Sequence, residues 1–360
     1  MRPSILLSFS TLVAVSIYGP SSYGVRCGDV NSPLRFTERL ADKSGTRVMA
    51  FNLMNLMDKV GAYDQTKPYQ FVKRKESYNK KGENMDARPK TEAEQTALAE
   101  PFHDTKPDFA IVTEVENIHA LQTYTQKNLR DAYDSFLIEG NDPRGIDIGL
   151  IVKKGLKVEV ESRTNKDQMW HDPVTNQDIK LFSRDLPVWI IKDAQTKKPM
   201  LALVGMHAKS KRNRDGDQES NIWRTAQMKG AAKIIENLSK ELGEDVPLLW
   251  GGDFNTDVQT SAEVQPIKAL FRDSFDVAKR TLPSNKRITH TYHPKQGPSD
   301  AKQMDAIFVR NADAEKIEQA NIYRYKDENG KIKGIPQTYQ QREMNPSDHF
   351  PVVVDLKLND

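Results

Sequence analysis

The chain has 360 residues, 37% of them hydrophobic and 29% charged, with a formal net charge of +3. That is a globular composition on a chain long enough to bury a sizeable core. It excludes a polybasic, histone-like protein, and leaves any anion binding to local patches.

In chain order, the first element reads as an export signal. Arg2 gives a positive start, Ile5 to Tyr18 is apolar apart from scattered Ser and Thr, and Pro20 breaks the run. Ser22-Tyr23-Gly24 puts small residues at the −3 and −1 positions of a cleavage site, so residues 1–24 are expected to be removed. The competing reading is an uncleaved anchor, but the stretch is short and interrupted for a bilayer span. The expected address is therefore periplasmic or extracellular, with no stable membrane association after cleavage. Cys27, the one cysteine, leaves no internal disulfide and argues against Cys-based catalysis or metal binding.

From about residue 45 short apolar runs recur. Strands are expected at Arg47–Leu53, Asp108–Val115, Asp147–Val152, Leu186–Ile191, Leu201–Met206, Val246–Trp250, Met304–Val309 and Pro351–Leu356. The clearest helical periodicity is in Glu219–Leu242, where Ile222, Ala226, Ile234, Ile235, Leu238 and Leu242 follow three- and four-residue steps. Thr91–His103 and Ile118–Asp131 are weaker helices. Many strands with few helices predict an α+β fold of two stacked sheets with helices outside. The polar stretches Lys59–Lys90, Arg163–Lys180, Lys209–Ser220, Arg280–Gln303 and Tyr323–Asn345 read as long surface loops. No linker cuts the chain, so one domain is expected over residues 25–360, with its core at about 45–358.

The chemistry lies where the apolar strands end. Arg47-Val-Met-Ala-Phe-Asn52 ends in an amide, Phe109-Ala-Ile-Val-Thr-Glu114 in a carboxylate and Leu203-Val-Gly-Met-His207 in an imidazole. Leu248-Leu-Trp-Gly-Gly-Asp253-Phe-Asn255 ends in a carboxylate and an amide. Met304-Asp305 opens one late strand, and Ser347-Asp348-His349 precedes the last. Packing gives a hydrophobic strand no reason to end in ligand-type residues each time. Oxygen donors without thiolates suit a hard cation such as Mg²⁺, Mn²⁺ or Ca²⁺. Two imidazoles beside carboxylates can donate to phosphate oxygens and move protons.

Eight stations in order carry a family likeness: Ala50-Phe51-Asn52, Thr113-Glu114-Val115, Arg144-Gly-Ile-Asp147, Phe182-Ser-Arg184, His207-Ala-Lys209-Ser-Lys211, Gly252-Asp-Phe-Asn255, Met304-Asp305 and Ser347-Asp-His-Phe-Pro-Val352. Together they resemble the endonuclease/exonuclease/phosphatase superfamily, nearest to its secreted bacterial nucleases. The resemblance implies a DNase I-like, four-layer α/β/β/α sandwich and a divalent-metal phosphodiesterase. It implies Asn52, Glu114 and Asp348 at the metal, with Asn55 and Glu116 as neighbouring competitors for the first two. Asp253 would activate or orient water, and Asn255 would hold that water or the phosphate. His207 and His349 would contact the scissile phosphate, with Asp305 orienting His349. Asp147 would orient His207 or merely cap a loop. Arg184 would contact the phosphate backbone or serve the scaffold. Lys209 and Lys211, in a basic run after His207, are expected to touch substrate, against the plainer reading of a solvated loop. Nucleic acid is the expected substrate. A lipid or small-molecule phosphoesterase, or an inactive binding protein on the same fold, are the alternatives.

Overall fold

The computed structural model describes residues 43, 45–57, 90–142 and 144–358. The expected signal, Cys27 and nearly all of the stretch 59–90 lie outside these. In chain order the strands are β1 (Thr46–Leu56), β2 (Phe109–Val115), β3 (Tyr133–Leu137), β4 (Asp147–Lys153), β5 (Val158–Arg163), β6 (Met169–Asp172), β7 (Gln177–Lys180) and β8 (Val188–Asp193). They continue with β9 (Pro199–His207), β10 (Leu248–Asp253), β11 (Phe271–Asp273), β12 (His290–Tyr292), β13 (Asp300–Lys302), β14 (Asp305–Arg310), β15 (Ile317–Ile322) and β16 (Val352–Leu356). All eight expected strands are among them.

Twelve strands build two six-stranded sheets, ordered β15-β16-β1-β2-β4-β3 and β11-β14-β10-β9-β8-β5. The remaining four form the hairpins β6-β7 and β12-β13. Each large sheet is antiparallel except for one central parallel pair, β1 with β2 and β9 with β10. A parallel pair needs a crossover, which helices supply. The helix α1 (Glu92–Thr105) lies between β1 and β2, and is started by a capping box in which Thr91 and Glu94 bond each other's backbone. The helix α2 (Ile118–Lys127) follows β2, and α3 (Asn221–Leu242) lies between β9 and β10.

Central strands such as β1 and β10 are buried almost throughout, as a sheet covered on both faces requires. Alternate residues of β10 serve the two sides. Leu249 joins the core between the sheets, whereas Leu248 and Trp250 join the second core, under α3. The result is the helix, sheet, sheet, helix layering expected from the sequence.

The buried face of α3 differs from expectation. It is formed by Arg224, Gln227, Met228, Ala231, Ala232, Ile235 and Leu238, while Ile222 is exposed. Two polar residues thus lie on the covered face because they have fixed partners. Arg224 forms a buried two-point pair with Glu263, at 2.7 and 2.8 Å, and Gln227 Nε2 donates to the Leu181 carbonyl.

One buried ion pair ties the middle of the first sheet. Arg47 of β1 meets Asp355 of β16 through two bonds, 2.6 and 2.8 Å, and also donates to the Thr105 carbonyl at the end of α1. Asp355 accepts further from Gln319 of β15. Asp355→Asn strips the countercharge from a buried guanidinium and is expected to cost about 3–5 kcal/mol. A denaturant melt reads this, and a loss below about 1 kcal/mol would contradict it.

Candidate active site

In a parallel pair both strands finish at the same edge. The carboxyl ends of β1 and β2, and of β9 and β10, therefore bring their last side chains to one place. Asn52 Nδ2 donates to Glu114 Oε1 of β2 at 3.2 Å and to Asp253 Oδ2 of β10 at 3.1 Å, bridging the sheets. Two bulges aim these groups. Glu114 has φ +61° at a register break in β2, and Met54 and Asn55 have positive φ in the break of β1. A bulge re-aims a side chain that regular pairing would leave in line. Asn55 adds its backbone N–H to Glu114 Oε2 at 3.0 Å. Glu116 is fully buried and donates its backbone N–H to Leu56.

On the second sheet, Asp253 is registered beside His207 of β9 and opposite Asp305 of β14. His207 Nε2 lies 3.6 Å from Asp253 and 3.8 Å from Glu114. The close approach of β10 to β9 requires Gly252, at φ +136°, because a Cβ there would stand 2.0 Å from the Met206 carbonyl oxygen. Asn255, at φ +52°, donates its backbone N–H to Asp253 Oδ1 at 2.7 Å and its side chain to the Ala208 carbonyl at 3.0 Å. Asn255 thereby fixes Asp253.

His349 completes the cluster. Its Nδ1 is 2.7 Å from Asp305 Oδ2, and its Nε2 is 3.9 Å from Asp253. Burial alone would lower this imidazole, but Asp305 and Asp253 outweigh it and hold His349 well above the ordinary value. His207 is driven the other way, well below, by burial and by the guanidiniums of Arg184 and Arg144. The two imidazoles are thus pushed in opposite directions, His349 toward its cationic form and His207 toward its neutral one. Asp253 is raised by burial and by neighbouring Asp305. Asp348 is held well below the carboxylate range, since His290, His349 and Arg342 together overcome its burial.

His290, given no role by the sequence, belongs to this group. Its ring lies 4.5 Å from that of His349, its Nε2 is 3.7 Å from Asp348, and its backbone bridges that of His349. Its strand β12 has three residues in a polar stretch, too short for a periodic signal. Arg342, 3.2 Å from Asp348, was equally unmarked.

Asp147 and Arg184 take the plainer of their two readings, and Lys211 departs from its expected place. Asp147 does not orient His207: its carboxylate accepts from the Gly140 N–H at 2.8 Å, and His207 Nδ1 is buried without a hydrogen-bond partner. Lys211 parts from Lys209. It pairs with Glu219 at 3.6 Å and lines a different cavity, with Asp257 and Lys302. Arg184 is buried, paired with Asp142 at 2.7 Å, and bonded to the Ala208 carbonyl at 2.8 Å, which makes it part of the wall.

The donor set fits a hard divalent cation. Glu114 and Asp253 converge on a single amide group, Asp305 Oδ1 is buried without a hydrogen-bond partner, and none of the described residues is a cysteine. Oxygen and imidazole atoms of Asp253, Asp305 and His349 also lie within 4.8 Å of one another. Asn52 turns its nitrogen to the carboxylates while its oxygen accepts from the Met54 N–H at 2.8 Å, so an oxygen ligand from it requires the amide to turn over.

No family model and no curated relative matches the chain. Solved structures do. An endonuclease/exonuclease/phosphatase from Bacteroides vulgatus superposes with TM-score 0.52 at 18% identity, covering 88% of this chain and 100% of that one. A functionally unknown conserved protein from Enterococcus faecalis gives 0.52 at 15%, over 87% and 100%. TDP2 from Caenorhabditis elegans gives 0.51 at 14%, over 86% and 73%. At these identities the likeness is one of fold.

Burial, followed by the nearby Glu139, Asp142 and Asp185, pushes the Asp147 carboxyl up to about 8. The folded chain keeps a proton that the unfolded chain releases near pH ~4, so this group's stabilisation is present at low pH and declines between about pH 4 and 8. Asp147→Asn keeps the oxygen that Gly140 needs and removes that decline. The variant should melt above the parent at pH 9 and close to it at pH 5; the same difference at both pH values would contradict the shift.

Proposed function

We propose that this chain, which has the endonuclease/exonuclease/phosphatase fold, is a divalent-metal-dependent hydrolase of phosphodiesters in nucleic acid. The observation that carries the reading is the row His207, Asp253, Asp305 across three paired strands, with His349 bonded to its end and Glu114 facing it. In this reading Asp253 takes a proton from water, and its burial beside Asp305 makes it a stronger base than a surface carboxylate. The water oxygen bonds to phosphorus as the bond to the leaving oxygen breaks, and the leaving oxygen takes a proton from solvent. His349, kept cationic by Asp305, donates from Nε2 to a phosphate oxygen, where negative charge grows. His207 contacts the same phosphate as a neutral imidazole. Glu114 and a turned-over Asn52 would hold the cation, with Asp348 as a further ligand; Mg²⁺, Mn²⁺ or Ca²⁺ there would supply charge to offset that of the phosphate oxygens.

Nucleic acid is favoured over a lipid or a small ester by the basic side chains beside the row, Lys209 and Arg144 among them. Export belongs to the same proposal, supported by the charged start, apolar run and small residues before Val25.

Purified protein incubated with plasmid DNA, RNA or a choline phospholipid, with Mg²⁺ and with EDTA, tests the reading. Cleavage of nucleic acid is expected, and EDTA should abolish it; undiminished activity in EDTA would remove the metal from the proposal. His349→Ala should lower the rate by about 10²–10⁴ with folding intact. Asp305→Asn should reproduce part of that loss, and the double variant should be little worse than His349→Ala alone, because the two act as a unit. A His349→Ala enzyme with the parent's rate on every phosphodiester would overturn the assignment.

A further inference from the structure

The strand β12 runs beside the residues that deliver His349, and its backbone is fixed there at three points. His290 bridges His349, the Thr291 N–H donates to the Asp348 carbonyl at 3.1 Å, and the Phe350 N–H donates to the Thr289 carbonyl at 2.7 Å. Side chains alternate along a strand, so Thr291 is buried while His290 and Tyr292 share the opposite face. That face carries the His290 ring, 4.5 Å from the His349 ring. Tyr292 follows His290 at about 7 Å along the strand, the scale of one nucleotide.

Tyr292 is placed unlike every other aromatic side chain among the described residues. It is 56% exposed, and the rest are buried or half-buried. It makes no hydrogen bond, ion pair or ring contact among those residues. A single exposed apolar group is ordinary on a protein surface, so what counts here is the rigid strand and the neighbouring cluster. Its cross-strand neighbour is Asp300, whose carboxylate pairs with Lys302 at 2.8 Å. A carboxylate next to the ring disfavours a phosphate and leaves a flat, uncharged group as the partner the ring suits. The same rim carries a second apolar group. Asp348 accepts from Arg342 of the helical turn Tyr339–Glu343 at 3.2 Å, and Met344, just past that turn, is 70% exposed. The turn packs against β12, and the Lys295 ammonium lies 5.4 Å from the centre of the Tyr339 ring.

We propose that Tyr292 stacks on the base of the nucleotide adjoining the scissile phosphate, so that the enzyme takes strands whose bases are unpaired. The proposal rests on the nucleic-acid reading above and names the substrate within it, single-stranded nucleic acid. Every base has a π-face, so such a contact is tolerant of sequence. In a duplex those faces are covered by neighbouring base pairs, and exposing one costs unstacking. A tyrosine has few torsions to fix, and here its backbone is already held by the approach to β16, so little ordering opposes the contact.

Tetrathymidylate and variants of it that each lack one base carry the same phosphates, and so differ in stacking alone. Mass analysis of the products gives kcat/KM at each diester. Removing the base on one particular side of the diester being cut should lower kcat/KM by about 10- to 100-fold. In Tyr292→Ala that ratio should fall to about 1, whereas Tyr292→Phe should keep it, because the ring and not the hydroxyl makes the contact. The side chain is exposed and its strand is held by backbone bonds, so both variants should fold. A single strand should also be cut faster than the duplex of the same sequence. A ratio near 1 in the parent, a ratio that Tyr292→Ala leaves as it was, or a duplex cut as fast as its separated strand overturns the stack and leaves the hydrolase. So does a parent that cuts plasmid DNA and leaves the tetramers intact. Failure to cut any nucleic acid overturns the nucleic-acid reading itself.

Discussion

The site depends on the register of three strands. β9, β10 and β14 are paired so that His207, Asp253 and Asp305 form one row across the sheet. Side chains alternate along a strand, so a slip of one residue would send a member of the row to the opposite face. The same alternation gives Leu249 to the core between the sheets and Trp250 to the core under α3. Register is therefore enforced by apolar burial along the whole strand, and the same register positions the polar row at its end, against the cost of burying His207 and Asp253. Gly252 is the local condition for this, since any side chain there would collide with β9.

What the sequence made legible follows from the same division. Strands buried on both faces are continuous apolar runs, and those runs were recognisable. Edge and hairpin strands were not. β5 reads Val-Glu-Val-Glu-Ser-Arg and is half-exposed, while β6 and β7 lie in a stretch read as loop. β15 is buried yet contains Gln319 and Asn321, whose burial depends on partners such as Asp355 that no local pattern announces. Ile222 followed the helical step and is nevertheless exposed, because Arg224 and Gln227 take the covered face with partners from distant segments.

The site was legible to the extent that its residues terminate strong strands. Asn52, Glu114, His207, Asp253, Asp305 and His349 come together. Asp147 also ends up buried nearby, but its carboxylate is taken by a backbone N–H, a contact set by loop geometry. Lys209 and Lys211, adjacent in the motif, face different cavities because the segment bends between Ala208 and α3. His290 reaches the cluster through the short hairpin strand β12, whose backbone bridges that of His349 and sets its ring against His349 and Asp348. Two fields of opposite sign then meet at Ala208, carboxylates on one side and guanidiniums on the other.

The order in which the row and its partner are supplied has a temporal consequence. His349 is delivered by the turn into β16, the last described strand, which docks between β15 and β1 through the Arg47–Asp355 pair. A chain that has closed only β9, β10 and β14 holds a row with His207 at one end and no His349 at the other. Until the C-terminal strand locks against the most N-terminal described one, the chain is an anionic pocket lacking its cationic donor. The His349 imidazole is thus in place only when β16 has docked between β15 and β1, which ties the geometry of the row's far end to the closing of the first sheet.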